Sequence, residues 1–165
     1  MQQFDCPALE RRFFCRPDAV SYLSGSKNYP EVRGVVSFRQ TSKGVLVSSE
    51  VYGLPDEGTH PCESTFFAMH IHDGTRCTGN ETDPFADADG HFNLDSCAHP
   101  HHAGDLPPLL SNSGMAFGSV LTERFTLGEV LGKTVIVHRQ PDDFKSQPSG
   151  GAGEKIACGV ISFVR

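Results

Sequence analysis

Eight histidines occur in this chain of 165 residues, and three of them, His99, His101 and His102, sit with Asp105 in the seven-residue stretch HPHHAGD. Imidazole nitrogens crowded beside a carboxylate are the donor set of metal coordination, because zinc and copper select those ligands. The remaining histidines are spaced to the same end. In FFAMHIH, His70 and His72 are two residues apart, so in an extended chain their rings share a face and can converge on one ion. His138 closes the apolar run KTVIVH, and His91 opens HFN. Each alone is an ordinary structural or surface histidine. Taken together, with three more histidines and Asp105 following within fifteen residues of His91, they point to two adjacent metal sites. The loop group has the ligand set of a closed tetrahedral zinc site.

Such ligands need elements to hold them. Runs rich in β-branched and aromatic residues, bounded by Gly, Pro, Asp or Ser, predict strands over 19–25, 32–40, 44–53, 66–72, 115–122, 133–138 and 156–163. FTLGEVLG, 125–132, holds one helical turn at most. Seven or eight short strands make a sandwich or barrel. Two connections interrupt them: residues 73–114 and the polar, Gly-rich 139–154. A structureless connection of about 40 residues inside a compact domain is functional or tied down, and metal ligation is the obvious means of ordering the first one.

Composition bounds the function. The chain is one domain of ordinary size, with residues 1–18 read as an irregular arm and 19–165 as the folded domain. A net charge of -6 argues against nucleic acid, which needs a basic face. No apolar run is long enough to span a bilayer. The N-terminal residues lack the apolar core of a secretory leader, so the expected compartment is cytoplasmic, or secreted or periplasmic if a leader has been removed. The six cysteines permit up to three disulfides and prove none.

The segments HIH (70–72), HFN (91–93), HHAGDL (101–106), TVIVHRQPDD (134–143) and ACGVI (157–161) stand in the order and approximate spacing of the copper,zinc superoxide dismutases. The resemblance runs from about residue 19 to the end, and several separate motifs agree. It implies an all-β Greek-key sandwich, or flattened barrel, of about eight antiparallel strands with two long functional loops. Copper would be bound by His70, His72, His91 and His138, and zinc by His91, His99, His102 and Asp105. His91 would bridge both metals through a deprotonated ring and carry a proton during turnover, while Asp142 would accept hydrogen bonds from one histidine of each site. His101 has no place in the pattern and is expected in solvent. The resemblance also implies a disulfide between Cys77 and Cys158, adding about 3 to 5 kcal/mol in the chain-entropy model. Cys6, Cys15, Cys62 and Cys97 are extra to the pattern, and a Cys62–Cys97 pair is a hypothesis.

The activity implied is dismutation of superoxide to O2 and H2O2 by alternate reduction and oxidation of copper, with a homodimer and a monomer both open. The alternative is a module of the same fold that binds copper and zinc for storage or delivery with little turnover. Two features depart from the family. Lys155 stands two residues before the Ala-Cys pair, where better-known members carry the arginine that guides superoxide; lysine keeps the charge but loses the planar fork of donors. TGNETDPFADADG, 78–90, is longer than the usual spacer and acidic, and reads as a surface excursion. Its D-x-D-G lacks the spaced oxygens and closing glutamate of a calcium loop.

Overall fold

Alternation of inward apolar and outward polar residues is clearest in Gly44–Tyr52, where Val45, Val47, Ser49 and Val51 are buried and the residues between them are not. That pattern is the period of a strand with one face on a core. The computed structural model describes residues 16–55 and 65–164. Its strands are β1 (Ala19–Gly25), β2 (Arg33–Thr41), β3 (Gly44–Tyr52), β4 (Phe66–Phe67), β5 (Met69–His72), β6 (Leu109–Asn112), β7 (Met115–Thr122), β8 (Thr134–His138) and β9 (Lys155–Phe163). One helical turn, α1 (Leu127–Val130), follows β7, started by a capping box between Thr126 and Glu129. The arm expected at 1–18 lies, up to residue 15, outside the described residues, as do Cys6, Cys15 and Cys62.

All pairings are antiparallel, in the order β4-β6-β7-β3-β2-β1-β9-β8-β5. β4 and β5 stand at opposite ends of that order and are separated in the chain by Ala68 alone, so this one segment closes the sheet into a flattened barrel. Closure removes the exposed edges that an open sheet would offer. Expectation and structure differ in two places here. The run 66–72 forms two short strands because Ala68 bends out of the ladder, bonding instead with Gln140 and His138 through its backbone. β6 was not expected, since Pro107 and Pro108 precede it and neither can donate to a ladder.

The core is filled by Val36, Phe38, Val47, Phe67, Ile71, Val135, Val137 and Ile156, among others. β8 is buried at every position, which one covered face cannot achieve. Its outer side is covered by the long loop: Phe85 and Ala88 pack with Ile136, Cys158 and Cys77 in a second apolar cluster. The 78–90 insertion is therefore not the surface excursion its acidic composition suggests. Glu81, Asp87 and Asp89 are exposed, but the segment is seated by Phe85, whose burial contributes about 2 kcal/mol. Among the described residues no helix is long and apolar enough to cross a membrane.

Candidate metal centre

The two rigid strands and the long loop deliver seven ligand-type side chains to one place. β5 carries His70 and His72, and β8 ends at His138, where a register irregularity between Val137 and His138 re-aims the chain. The loop after β5 returns to it twice, through bridge pairings of His72 with His91 and of His70 with Asp105. The result is two groups whose potential ligand atoms lie within 4.8 Å of one another: His70, His72, His91 and His138, and His91, His99, His102 and Asp105. His91 belongs to both. His101, by contrast, is exposed and joins neither.

Hydrogen bonds on one nitrogen of each ring decide what the other nitrogen can do. His72 donates from Nδ1 to the Asp89 carbonyl oxygen at 2.7 Å, and His138 from Nδ1 to that of Gly153 at 3.2 Å. Both therefore present Nε2 inward, where the two Nε2 atoms stand 3.2 Å apart. His70 and His99 are held the other way round: their Nε2 atoms donate to the two oxygens of Asp142, at 2.8 and 2.9 Å. That leaves Nδ1 of His70 and Nδ1 of His99 buried with no hydrogen-bond partner. His91 Nδ1 lies 2.7 Å from Asp105 Oδ1, and its Nε2 is likewise buried and unpartnered. His99 Nδ1 stands 3.1 Å from Asp105 Oδ2, but with the proton on Nε2 both are acceptors, so no hydrogen bond joins them. Three imidazole lone pairs buried in so small a volume are costly unless an ion accepts them. The donor set fits such ions: four nitrogens suit Cu(II), and three nitrogens with a carboxylate suit zinc.

Electrostatics agree with lone pairs kept open. Burial lowers the pKa of His138 to about 3 and that of His72 well below the ordinary imidazole value, with the neighbouring rings adding to the effect. Burial also lowers His70 and His102. For Asp142 burial alone would act upward, but the donated hydrogen bonds of His70, Phe144 and His99 win and hold the carboxyl far below its usual range. Asp105 is likewise held down, by His91 foremost among its partners, against its own burial. The rings of His70, His72, His102 and His138 are thus neutral and the carboxylates of Asp105 and Asp142 ionised near pH 7, the state that binds metal.

Cys77 and Cys158 form a disulfide, tying the loop to β9 across 81 residues. Cys97 is an exposed free thiol, and the partner suggested for it, Cys62, lies outside the described residues. Lys155 is the cross-strand neighbour of His138, but its ammonium is occupied: it donates to Asp83 Oδ2 at 2.8 Å and to the Phe85 carbonyl oxygen at 3.1 Å. Sequence reasoning missed Asp83 in this position, and it missed Gly150. At Gly150, φ is +68° and a Cβ would stand 2.0 Å from Asp142 Oδ1 and 2.8 Å from His99 Nε2, so only glycine leaves the carboxylate room. The carbonyls of Asp89 and Gly153 carry no residue-type signal at all.

Comparison with known proteins follows the same line. A family model described as copper/zinc superoxide dismutase matches residues 32–161. A copper-zinc superoxide dismutase of Legionella pneumophila is 35% identical over 148 residues, spanning 85% of this chain and 83% of the relative. One from Xenopus laevis is 34% identical over 161 residues, 88% of this chain and 97% of the relative. A solved structure of the Brucella abortus copper/zinc superoxide dismutase superposes with a TM-score of 0.71 at 22% identity, covering 87% of this chain and 99% of that one, a likeness of fold.

Proposed function

The chain belongs to the copper/zinc superoxide dismutase family, an oxidoreductase converting superoxide to O2 and H2O2 with copper and zinc as cofactors, and from that premise we propose which side chains do the work. His70, His72, His91 and His138 hold copper; His91, His99, His102 and Asp105 hold zinc. The observation that carries this reading is the position of His91, common to both groups, with Nδ1 against Asp105 and Nε2 buried and unpartnered.

When bound, copper supplies reversible one-electron chemistry and zinc a redox-inert anchor. The protein does the rest. Asp142 fixes the tautomers of His70 and His99 at once, so the nitrogens offered to the two sites are set by a single carboxylate. The carbonyls of Asp89 and Gly153 do the same for His72 and His138. His91 is the proton carrier: with Nδ1 held on the Asp105 side, Nε2 takes up a proton and returns it to the departing peroxide. Lys155, beside His138, is the cation that draws the anionic substrate inward.

The test is the decay of a superoxide pulse with protein reconstituted to one copper and one zinc per chain, a chelator removing loose copper. A second-order constant of roughly 10^8 to 10^9 per molar per second is expected. Stoichiometric copper with no acceleration over buffer would replace the enzyme by a binding module for storage or delivery.

A further inference from the structure

Beside His138 lies an arrangement that the activity itself does not require. Lys155 enters β9 opposite His138, and three residues later Cys158 is bonded to Cys77. From Cys77 the chain runs into the 78–90 insertion, which turns back so that Asp83 and Phe85 meet the lysine. Asp83 is prepared for the contact. Its backbone carbonyl accepts from the amides of Asn80 and Ala86, its Oδ1 accepts from the Phe85 amide at 3.0 Å, and its Oδ2 is left for Lys155 Nζ. Phe85, buried in the second apolar cluster, pins the turn. The pair is mostly enclosed, with the lysine side chain 15% and the aspartate 38% exposed. Interaction with Lys155 holds the Asp83 carboxyl below its ordinary pKa against burial, which acts upward.

We propose that Asp83 is a positioning residue that competes with the anionic substrate for the Lys155 ammonium, so that the 78–90 insertion sets how strongly the copper site attracts anions. The proposal rests on the reading of Lys155 as the guiding cation. A guanidinium could bond a carboxylate and still show donors to an incoming anion, whereas the single ammonium of lysine, already donating to Asp83 and to the Phe85 carbonyl, has one proton left. The carboxylate also cancels much of the lysine's field in a chain whose net charge is already -6.

Asp83→Asn separates these effects from folding. The amide oxygen can keep the Phe85 amide bond, which leaves its NH2 facing Lys155 and frees the ammonium. Azide, a small linear monoanion, is titrated into the copper-loaded protein and followed by its visible absorption. With an assumed separation of about 10 Å and an effective dielectric of about 40 to 80, removing one negative charge should by itself tighten azide by about two- to four-fold, and the freed ammonium should add to that. The superoxide rate should rise by a similar factor at low salt, and the gain should shrink as ionic strength passes 0.1 M, where the Debye length is about 10 Å. Asp83→Glu should stay near wild type, and in a Lys155→Met background the azide gain from Asp83→Asn should shrink to what the lost charge alone supplies; a gain there as large as in the presence of Lys155 would mean that no competition for the ammonium takes place. In metal-free protein, acylation of Lys155 by an amine-reactive ester, read by peptide mass, should be several-fold faster in Asp83→Asn. If azide binds Asp83→Asn no tighter than wild type, or Lys155 acylates at the same rate in both, the competition does not exist. If wild-type protein with full copper neither binds azide nor accelerates superoxide decay, the reading of the site itself fails, and the acylation result still judges the ion pair separately.

Discussion

The two histidine groups meet at His91 but are built in opposite ways. On the copper side, His70, His72 and His138 stand on β5 and β8, strands buried at every position, and their places are set by the core that Ile71, Val135 and Val137 fill. On the zinc side, His99, His102 and Asp105 stand on a loop whose only regular element up to Asp105 is the 3-10 turn Ala86–Ala88. That stretch is held by backbone bonds to Ile71, by Asp142 and by the Cys77–Cys158 disulfide. The difference teaches that one metal is received by a fold while the other completes one. A strand pays its ordering entropy through the core whether or not an ion arrives, whereas the loop needs the ion as part of its own stability.

The sharpest way to break that comparison is to remove one ligand from each side. His70→Ala should abolish copper binding and lower activity by more than about 100-fold, beyond the ten- to hundred-fold typical of an outer partner. Its melting temperature with zinc bound should fall only by the cost of the small cavity and of the Asp142 oxygen left without its donor. Asp105→Ala should do the converse, losing zinc and a large part of the stability that zinc confers, about 4 kcal/mol at a thousand-fold excess of metal over its dissociation constant. Metal content by mass spectrometry and thermal unfolding of both variants decide it; equal losses of stability would mean that the copper-side strands are no more preformed than the loop.

Next in size is the disulfide. Cys77→Ser closes nothing in the unfolded chain, so about 3 to 5 kcal/mol of stability should vanish, measured from urea midpoints. The loss should come with faster proteolysis of 78–105 rather than of β5 or β8, since the bond holds the loop and the core holds the strands.

Legibility followed the same division. The strand-borne histidines were readable because a strand has a period: His70 and His72 had to share a face, and β1 and β7 run from Ala19 to Gly25 and from Met115 to Thr122 as their residue types predict. The loop ligands were readable as a cluster of types, but their division between two ions came from family resemblance, because no periodicity governs a loop. What could not be read was contact across long separations. Lys155 and Asp83 are 72 residues apart, and nothing in the sequence joins the lysine in the guiding position to an aspartate of the acidic insertion; Phe85 sits in an acidic, Pro- and Gly-rich run that looks solvated until its ring is found against Ile136. Leu109 to Asn112 pair as β6 although Pro107 and Pro108 announce a turn, because tertiary pairing with β7 and β4 overrides the local signal.

Besides the shared His91, Asp142 touches both halves, so it sharpens the comparison further. Asp142→Asn keeps the shape but leaves a single acceptor for two donating rings, and either His70 or His99 must lose its tautomer lock. Affinity for both metals should fall by about 10- to 100-fold, zinc included, although Asp142 is remote in sequence from every zinc ligand. Competition with a chromophoric chelator measures it; loss at one site alone would show that the coupling runs through His91 and not through this carboxylate.

The smallest effect is the acid response of the metal-free protein, and it separates the buried rings from the carboxylates by pH. His138 has its pKa lowered to about 3, and His70, His72 and His102 are lowered as well, so between about 6.5, the unfolded value, and 3 the unfolded chain binds protons that the folded chain does not. Their contribution is therefore fully present above about pH 6.5 and drains as pH falls towards the folded value. Asp105 and Asp142 are depressed carboxylates, so theirs is present above about pH 4, the unfolded carboxylate value, and is lost below it. Urea midpoints should accordingly fall in two stages on acidification. In His138→Gln the first stage, between pH 6.5 and 4, should flatten while the second persists; a variant whose upper stage is as steep as wild type would mean that the strand-borne ring is not held neutral by its burial.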